Sequence, residues 1–212
     1  DTWALANGTG HAVVKAGGDS WFFLTADYAF GHALERDVSN VVLASGGKIL
    51  GAVRHPLNTA DFSSFLLQAQ ASKAKIIGIA GGPPNNVNEV KLGGEFGIFQ
   101  GGQQMAALLM LINDVHALGL KAAQGLLLTT SFYWDMDDKT RDWSKRFFAR
   151  NNKMPSMWQA GVYSSVMHYL NAVKATGTDE PLKVAEQMRK VPVEDFFSRN
   201  GRLREDNLMV HD

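Results

Sequence analysis

Asp27 and Tyr28 stand just past the apolar run 21–24 (WFFL), with Gly31 close behind to let the turn close. A tyrosine there can offer a ring face and a hydroxyl donor to a small molecule, or simply stand half-buried at a helix start. Gly81 and Gly82, followed by Pro83 and Pro84, form a turn whose backbone N–H groups can face a carboxylate at a helix N-terminus. The same glycines can equally do no more than satisfy the turn. Asn113, Asp114 and His116 follow the apolar run 105–112 (MAALLMLI). Asp114 can meet a ligand cation, fix a hydroxyl or cap the short helix DVHALG. Phe132, Tyr133 and Trp134 are either wall aromatics or core, and three consecutive aromatics in a strand cannot all point one way. These groups suit the holding of a small molecule.

Groups for transforming one are scarce. The histidines at 11, 32, 55, 116, 168 and 211 show no HxH or HxxxH spacing, and there is no cysteine to join them. They are expected to be solvated or capping residues, with no metal and no other cofactor. No G-x-S-x-G elbow and no GxxxxGK[ST] phosphate loop occurs. Gly8-Thr9-Gly10 lacks both the third glycine of a dinucleotide fingerprint and a preceding strand, and reads as a turn. Glu35, Asp37, Asp137 and Asp138 read as helix-terminus and surface charges. The expectation is a protein without catalysis.

The elements that must position these residues come in a repeated order. Three times an apolar run, a polar turn and a longer segment of helical spacing follow one another. The runs are 21–24, 48–53 (KILGAV) and 75–80 (KIIGIA), the turns TADYAFG, RHPLNTA and GGPPNN. The helices run to 44, over 61–72 with Asp61 as N-cap, and over 87–96. This predicts βαβ units in an α/β, doubly wound parallel sheet. In such sheets ligands bind outside the carboxyl ends of the strands, where those three turns lie. A helix is predicted over 3–16, and strands over 105–112 and 125–130. From Asp135 the character changes to amphipathic helices over 137–151, 160–176 and 181–191, then a polar turn flanked by strands over 196–210. A boundary at 128–134 divides the chain into 1–130 and 131–212, joined by an ordered hinge.

Composition narrows the partners. Lys plus Arg and Asp plus Glu each number 21 in 212 residues, a formal net charge of zero. Neither nucleic acid nor an anionic membrane surface has an electrostatic reason to bind. With 45% hydrophobic and 20% charged residues the balance is that of an ordinary globular protein. No apolar stretch approaches the length of a bilayer span. The start at Asp1, without Met, leads us to expect a processed product or a fragment.

The segments TADYAFG, AVRHPLNTADFSSFLLQAQASKAKIIGIA, INDVHALGL, AQGLLLTTSFYWD and NGRLREDNLMVHD together resemble the type I periplasmic solute-binding proteins of branched-chain amino acid ABC importers. The likeness covers nearly the whole chain and is nearest to a subgroup that includes receptors for aromatic carboxylates. It implies two α/β lobes that close on a ligand in the cleft between them, recognised by a membrane permease and ATPase complex, in the periplasm. It implies that 1–130 is a nearly complete lobe two, that 131–212 is part of lobe one, and that the chain is truncated at its N-terminus. The grip on the ligand carboxylate would belong to the missing part, and the truncated chain could self-associate. Residue by residue, the resemblance gives Tyr28 to the cleft wall, beside Asp27. Ala80 and Gly81 fall where amino acid receptors use a further aromatic contact, so the wall is opened there. Asp114, or less closely Asn113, falls near the residue that receives the ligand ammonium, and Tyr133 lies at the return crossing. An aromatic or other small apolar carboxylate is favoured, a branched-chain amino acid next. The rival readings are an effector-sensing regulatory domain on the same fold and a doubly wound enzyme.

Overall fold

The computed structural model describes residues 1–211. They divide after Thr129 into two compact units.

The first unit begins with helix α1 (Thr2–Lys15) and then alternates strictly. Strand β1 (Ser20–Ala26) leads to α2 (Ala29–Ala44), β2 (Lys48–His55) to α3 (Ser63–Ala71), and β3 (Ile76–Ala80) to α4 (Asn85–Glu95). After β4 (Gln104–Ala107) and α5 (Ile112–Leu118), β5 (Leu127–Leu128) ends the unit. The strands form one sheet in the order β2-β1-β3-β4-β5, parallel throughout. The apolar runs are continuous because the central strands are covered on both faces. Alternation along each strand sends successive side chains to different layers. Trp21, Phe23, Ile76, Ala80 and Leu108 pack with Leu34, Val38 and Val42 of α2 and Val13 of α1. Leu24, Ile77, Ile79, Met105 and Ala107 pack with Phe62 and Leu66 beside α3 and Val90 of α4.

Several local expectations change. Gly8-Thr9-Gly10 lies inside α1 and is not a turn. A side chain at Gly10 would begin 2.8 Å from Val41 Cγ1, so the glycine lets α1 and α2 approach closely. Asp61 is not the N-cap but stands one residue upstream of it: Phe62 is the N-cap of α3, and Asp61 accepts the Ser63 N–H at 2.8 Å. The run 105–112 is strand only to Ala107. Beyond it the Leu109 carbonyl accepts from Asn86 Nδ2 at 2.6 Å, outside the ladder, and β5 pairs with β4 through only Leu127 and Leu128.

Strand β2 carries a bulge. Ile49 is opposite Trp21, but Gly51 is already opposite Phe22. The extra residue reverses the facing of everything after it. Ile49 therefore packs on the α1–α2 side, while Val53 packs on the α3–α4 side. Gly51 holds φ at 150° there, a region that favours glycine.

The second unit contains α6 (Asp138–Asn151), α7 (Met157–Thr176) and α8 (Pro181–Lys190), then an antiparallel pair, β6 (Arg202–Leu203) with β7 (Met209–Val210). Asp137 and Ser156 form capping boxes at the starts of α6 and α7, and Gly177 closes α7 at φ 67°. Phe132, Trp143, Phe196 and Phe197 build its core, with Trp143 and Phe196 stacked at 4.2 Å. Helix α7 buries Ala160, Ser164, His168 and Ala172 on one face. Its other side leaves Trp158, Val162, Val166 and Leu170 about half exposed or more, at a spacing of four. Such a stripe on a free surface favours association. The chain alone is expected to sediment above its monomer mass or to bind an apolar dye, and Val162→Asp with Leu170→Asp to reduce both. A clean monomer without dye fluorescence would contradict this.

Candidate functional site

Strand order reverses between β1 and β3, since the crossover through α2 runs outward to β2 while β3 continues to β4 and β5. A crevice at the carboxyl ends of such strands is the usual place for a ligand. Helix α2 is seated directly on this point. A side chain at Gly31 would begin 2.1 Å from the Ala26 carbonyl oxygen and 2.9 Å from that of Ala80, the last residues of β1 and β3. Only glycine allows that approach.

Asp27 and Tyr28 form the turn between β1 and α2. The Asp27 N–H donates to the His55 carbonyl at 2.8 Å, and the Tyr28 N–H to the Ala26 carbonyl at 2.8 Å. The Asp27 carboxylate is exposed and meets His32 Nε2 at 2.8 Å. Tyr28 is half-buried, its ring 6.0 Å from Phe30. Burial pushes its phenol above the usual value, so the hydroxyl keeps its proton and can donate. A side chain at Gly82 would begin 3.7 Å from Tyr28 Oη and 3.9 Å from Leu109 Cδ2. Tyr28, Gly82 and Leu109 therefore border one small space, which the absent Gly82 side chain leaves free.

The other expected residues fall as follows. Gly81 is buried in the turn after β3, against Asn86 and Ala26. Ala80 differs from the expectation: it is fully buried with its methyl in the α1–α2 core layer, because alternation along β3 turns it the same way as Ile76. Asp114 takes the capping alternative, accepting the Leu111 N–H at 2.9 Å at the start of α5. Asn113 stands beside it on α5, its Oδ1 buried without a hydrogen-bond partner among the described residues. Tyr133 belongs to the second unit, where it is exposed and 5.7 Å from Trp134, while Phe132 is core.

The residues that tie this end of the sheet together come from α4. Asn85 Nδ2 donates to the Leu57 carbonyl at 2.8 Å, in the turn after β2. Asn86 Nδ2 donates to the carbonyls of Gly81 at 3.2 Å and Leu109 at 2.6 Å, joining the turns after β3 and β4. Glu89 is fully buried, its Oε1 2.7 Å from Nε2 of the equally buried His55. Phe62 and Phe65 present ring edges to the imidazole at 5.0 and 5.9 Å. His55 Nδ1 lies 3.0 Å from the Pro56 carbonyl, which can only accept, so Nδ1 carries a hydrogen. Two lone pairs would otherwise meet at Nε2 and Oε1, so the pair holds a proton there. Burial alone would lower His55, but the hydrogen bond and charge of Glu89, with the Pro56 carbonyl, more than offset it and raise it. Burial likewise raises Glu89. The pair thus keeps one proton beyond the ordinary imidazole range.

From spacing alone His55 reads as solvated or capping, and Glu89, Asn85 and Asn86 read as helix and turn residues. A signal existed: RHP ends a strand at the ligand end of the sheet, and Asn86, Glu89, Val90 and Gly93 share the buried helical face. The pair is closed to a substrate, each side chain being about 1% exposed. Among the described residues no group of three or more His, Cys, Asp or Glu is placed to hold a metal ion. No helix among them is long and apolar enough to cross a membrane.

A doubly wound parallel sheet whose strand order reverses between β1 and β3 defines the α/β class of the first unit, and the comparisons with known proteins name the family. The sequence pattern of the periplasmic binding protein family matches residues 1–212, and the chain belongs to that family. A periplasmic binding protein from Burkholderia mallei is 56% identical over 100% of this chain and 56% of its own, with a TM-score of 0.93. A branched chain amino acid ABC transporter periplasmic ligand-binding protein from Burkholderia xenovorans is 38% identical, covering 99% of this chain and 56% of its own, at TM-score 0.88. A solute-binding protein of an ABC transporter from R. palustris, solved with benzoate, shares the fold at TM-score 0.85 and 17% identity, over 99% of this chain and 58% of its own. No curated protein matches. The chain therefore spans a little over half the length of these solved relatives.

Proposed function

We propose that this chain supplies a nearly complete lobe two, residues 1–130, and part of lobe one, 131–212, of an extracytoplasmic solute-binding component of an ABC importer. Its ligand is a small carboxylate, an aromatic acid before a branched-chain amino acid. Tyr28 at the switch point carries this reading, because beside Gly82 and Leu109 it offers a ring face and a hydroxyl donor. The benzoate bound by the R. palustris protein and the ligand class named for the Burkholderia xenovorans protein support the two ligand classes. Asp27, Gly81 and Asn113 complete this lobe's wall, Asp114 caps the helix beside them, and Tyr133 belongs to the crossing. Ligand binding favours a closed state that the permease and ATPase partners recognise in the periplasm.

The test is calorimetry with a panel of benzoate-like acids and branched-chain amino acids. The chain is measured alone and as a chimera in which it replaces the matching part of the Burkholderia mallei protein. The chimera should bind one class, and the chain alone far more weakly. Tyr28→Ala in the chimera should weaken binding by about 1–3 kcal/mol, the worth of a buried ring contact and a hydrogen bond, with folding intact. Unchanged affinity in that variant would place the site elsewhere.

A further inference from the structure

Three polar side chains buried at this end of the sheet come from α4, and His55 meets one of them. Asn85 holds the turn after β2, and Asn86 holds the turns after β3 and β4. Glu89 holds His55, whose carbonyl in turn accepts the Asp27 N–H at 2.8 Å beside Tyr28. Nε2, Oε1 and Oε2 have no hydrogen-bond partner outside the pair among the described residues. Among the described residues the carboxylate meets the imidazole, which is held at both ring nitrogens. The bulge in β2 is what aims His55 at α4.

We propose that His55 and Glu89 are positioning residues for the ligand wall: their shared proton locks the end of β2, and through the His55 carbonyl it fixes the Asp27–Tyr28 turn. This rests on the binding reading above for what the turn grips. Removing the proton leaves a carboxylate facing an imidazole lone pair in a dry site, which drives the two apart and moves the end of β2. The turn that carries Tyr28 moves with it, so occupancy of the wall is coupled to the pair's proton. Few other charges reach the pair. Asp27 acts on His55 from the turn after β1 and is itself paired with His32. Asp61, ahead of α3, is bonded to the Ser63 N–H. Arg54 and Glu35 lie 3.9 Å from one another, Arg54 being outward on β2. Asn85 and Asn86 of α4 are uncharged.

The labelled 212-residue chain, carrying His32→Gln so that the ring beside Asp27 contributes nothing, can be titrated by nuclear magnetic resonance between about pH 5 and 10. The Asp27 and Tyr28 amides should shift in the same transition in which the His55 ring loses its proton. Glu89→Gln should move that transition to lower pH for all three signals together. Amides that ignore the His55 transition, or that stay behind when Glu89→Gln moves it, would overturn the proposal. Should Glu89→Gln fail to fold, the titration with Glu89 intact decides. Benzoate and leucine binding by the chimera forms a separate arm. Shared transitions with no binding of either would overturn the ligand reading and leave the positioning role standing.

Discussion

Gly31→Ala is expected to destabilise the first unit by about 3 kcal/mol and to lower its melting temperature by roughly 10 °C. The new Cβ would begin 2.1 Å from the Ala26 carbonyl oxygen and 2.9 Å from that of Ala80. Both obstacles are backbone atoms at the ends of buried strands, and neither can move without breaking the ladder between β1 and β3. Helix α2 would have to lift from the switch point, exposing Leu34, Val38 and Val42, which are now fully buried. Gly94→Ala in α4 is the control. Nothing lies within 4 Å of the position, so the exchange should be neutral or stabilise by about 0.5–1 kcal/mol through helix propensity. Urea unfolding of both variants checks the contrast, and equal stabilities would refute the close approach at Gly31.

His55→Ala is expected to destabilise the same unit by about 3–5 kcal/mol, because it strands Glu89 in the core and removes a ring packed on Phe62 and Phe65. The pH dependence gives a second reading of the same pair. In the unfolded chain His55 releases its proton around 6.5, whereas the folded pair retains it to higher pH. The folded state then binds more protons, so the stability contributed by the His55 proton is fully present below about pH 6.5 and falls as pH rises, by at most about 1.4 kcal/mol per unit. The fall ends once the folded pair has released its proton. In His55→Ala the remaining group is a buried carboxyl held above its unfolded value of 4.5, so the decline should begin near that lower pH. Replacing both residues by glutamine should abolish this component of the slope. Urea unfolding at a series of pH values measures all three curves, and a wild-type stability that rises through neutral pH would contradict the shared proton.

The amino-acid sequence determined the order of elements, because the forces that set them are local. KIIGIA is apolar at every position that must be buried on both faces and becomes β3, and WFFL becomes the centre of β1. Phe132 enters the core and Tyr133 stays exposed, although the run lies outside any strand. The turns after β1 and β3 were marked by Asp27–Tyr28 and Gly81–Gly82 through turn chemistry alone.

Tertiary structure decided what those turns contain. Whether Asp114 meets a ligand or a backbone N–H depends on where Leu111 lies, and the cap forms because the chain leaves β4 early. Ala80 falls at an opened wall by resemblance, yet in the sheet it pairs with Thr25 of β1 and turns its methyl into the core. His55 and Glu89 are ordinary surface residue types, and each alone would be too costly to bury. Only a bulge that reverses the facing of β2, and a helix that crosses back to meet it, brings them together. Local spacing carries no information about a partner on another element, so the chain announces its strands and turns while the pair beneath them exists only in the folded sheet.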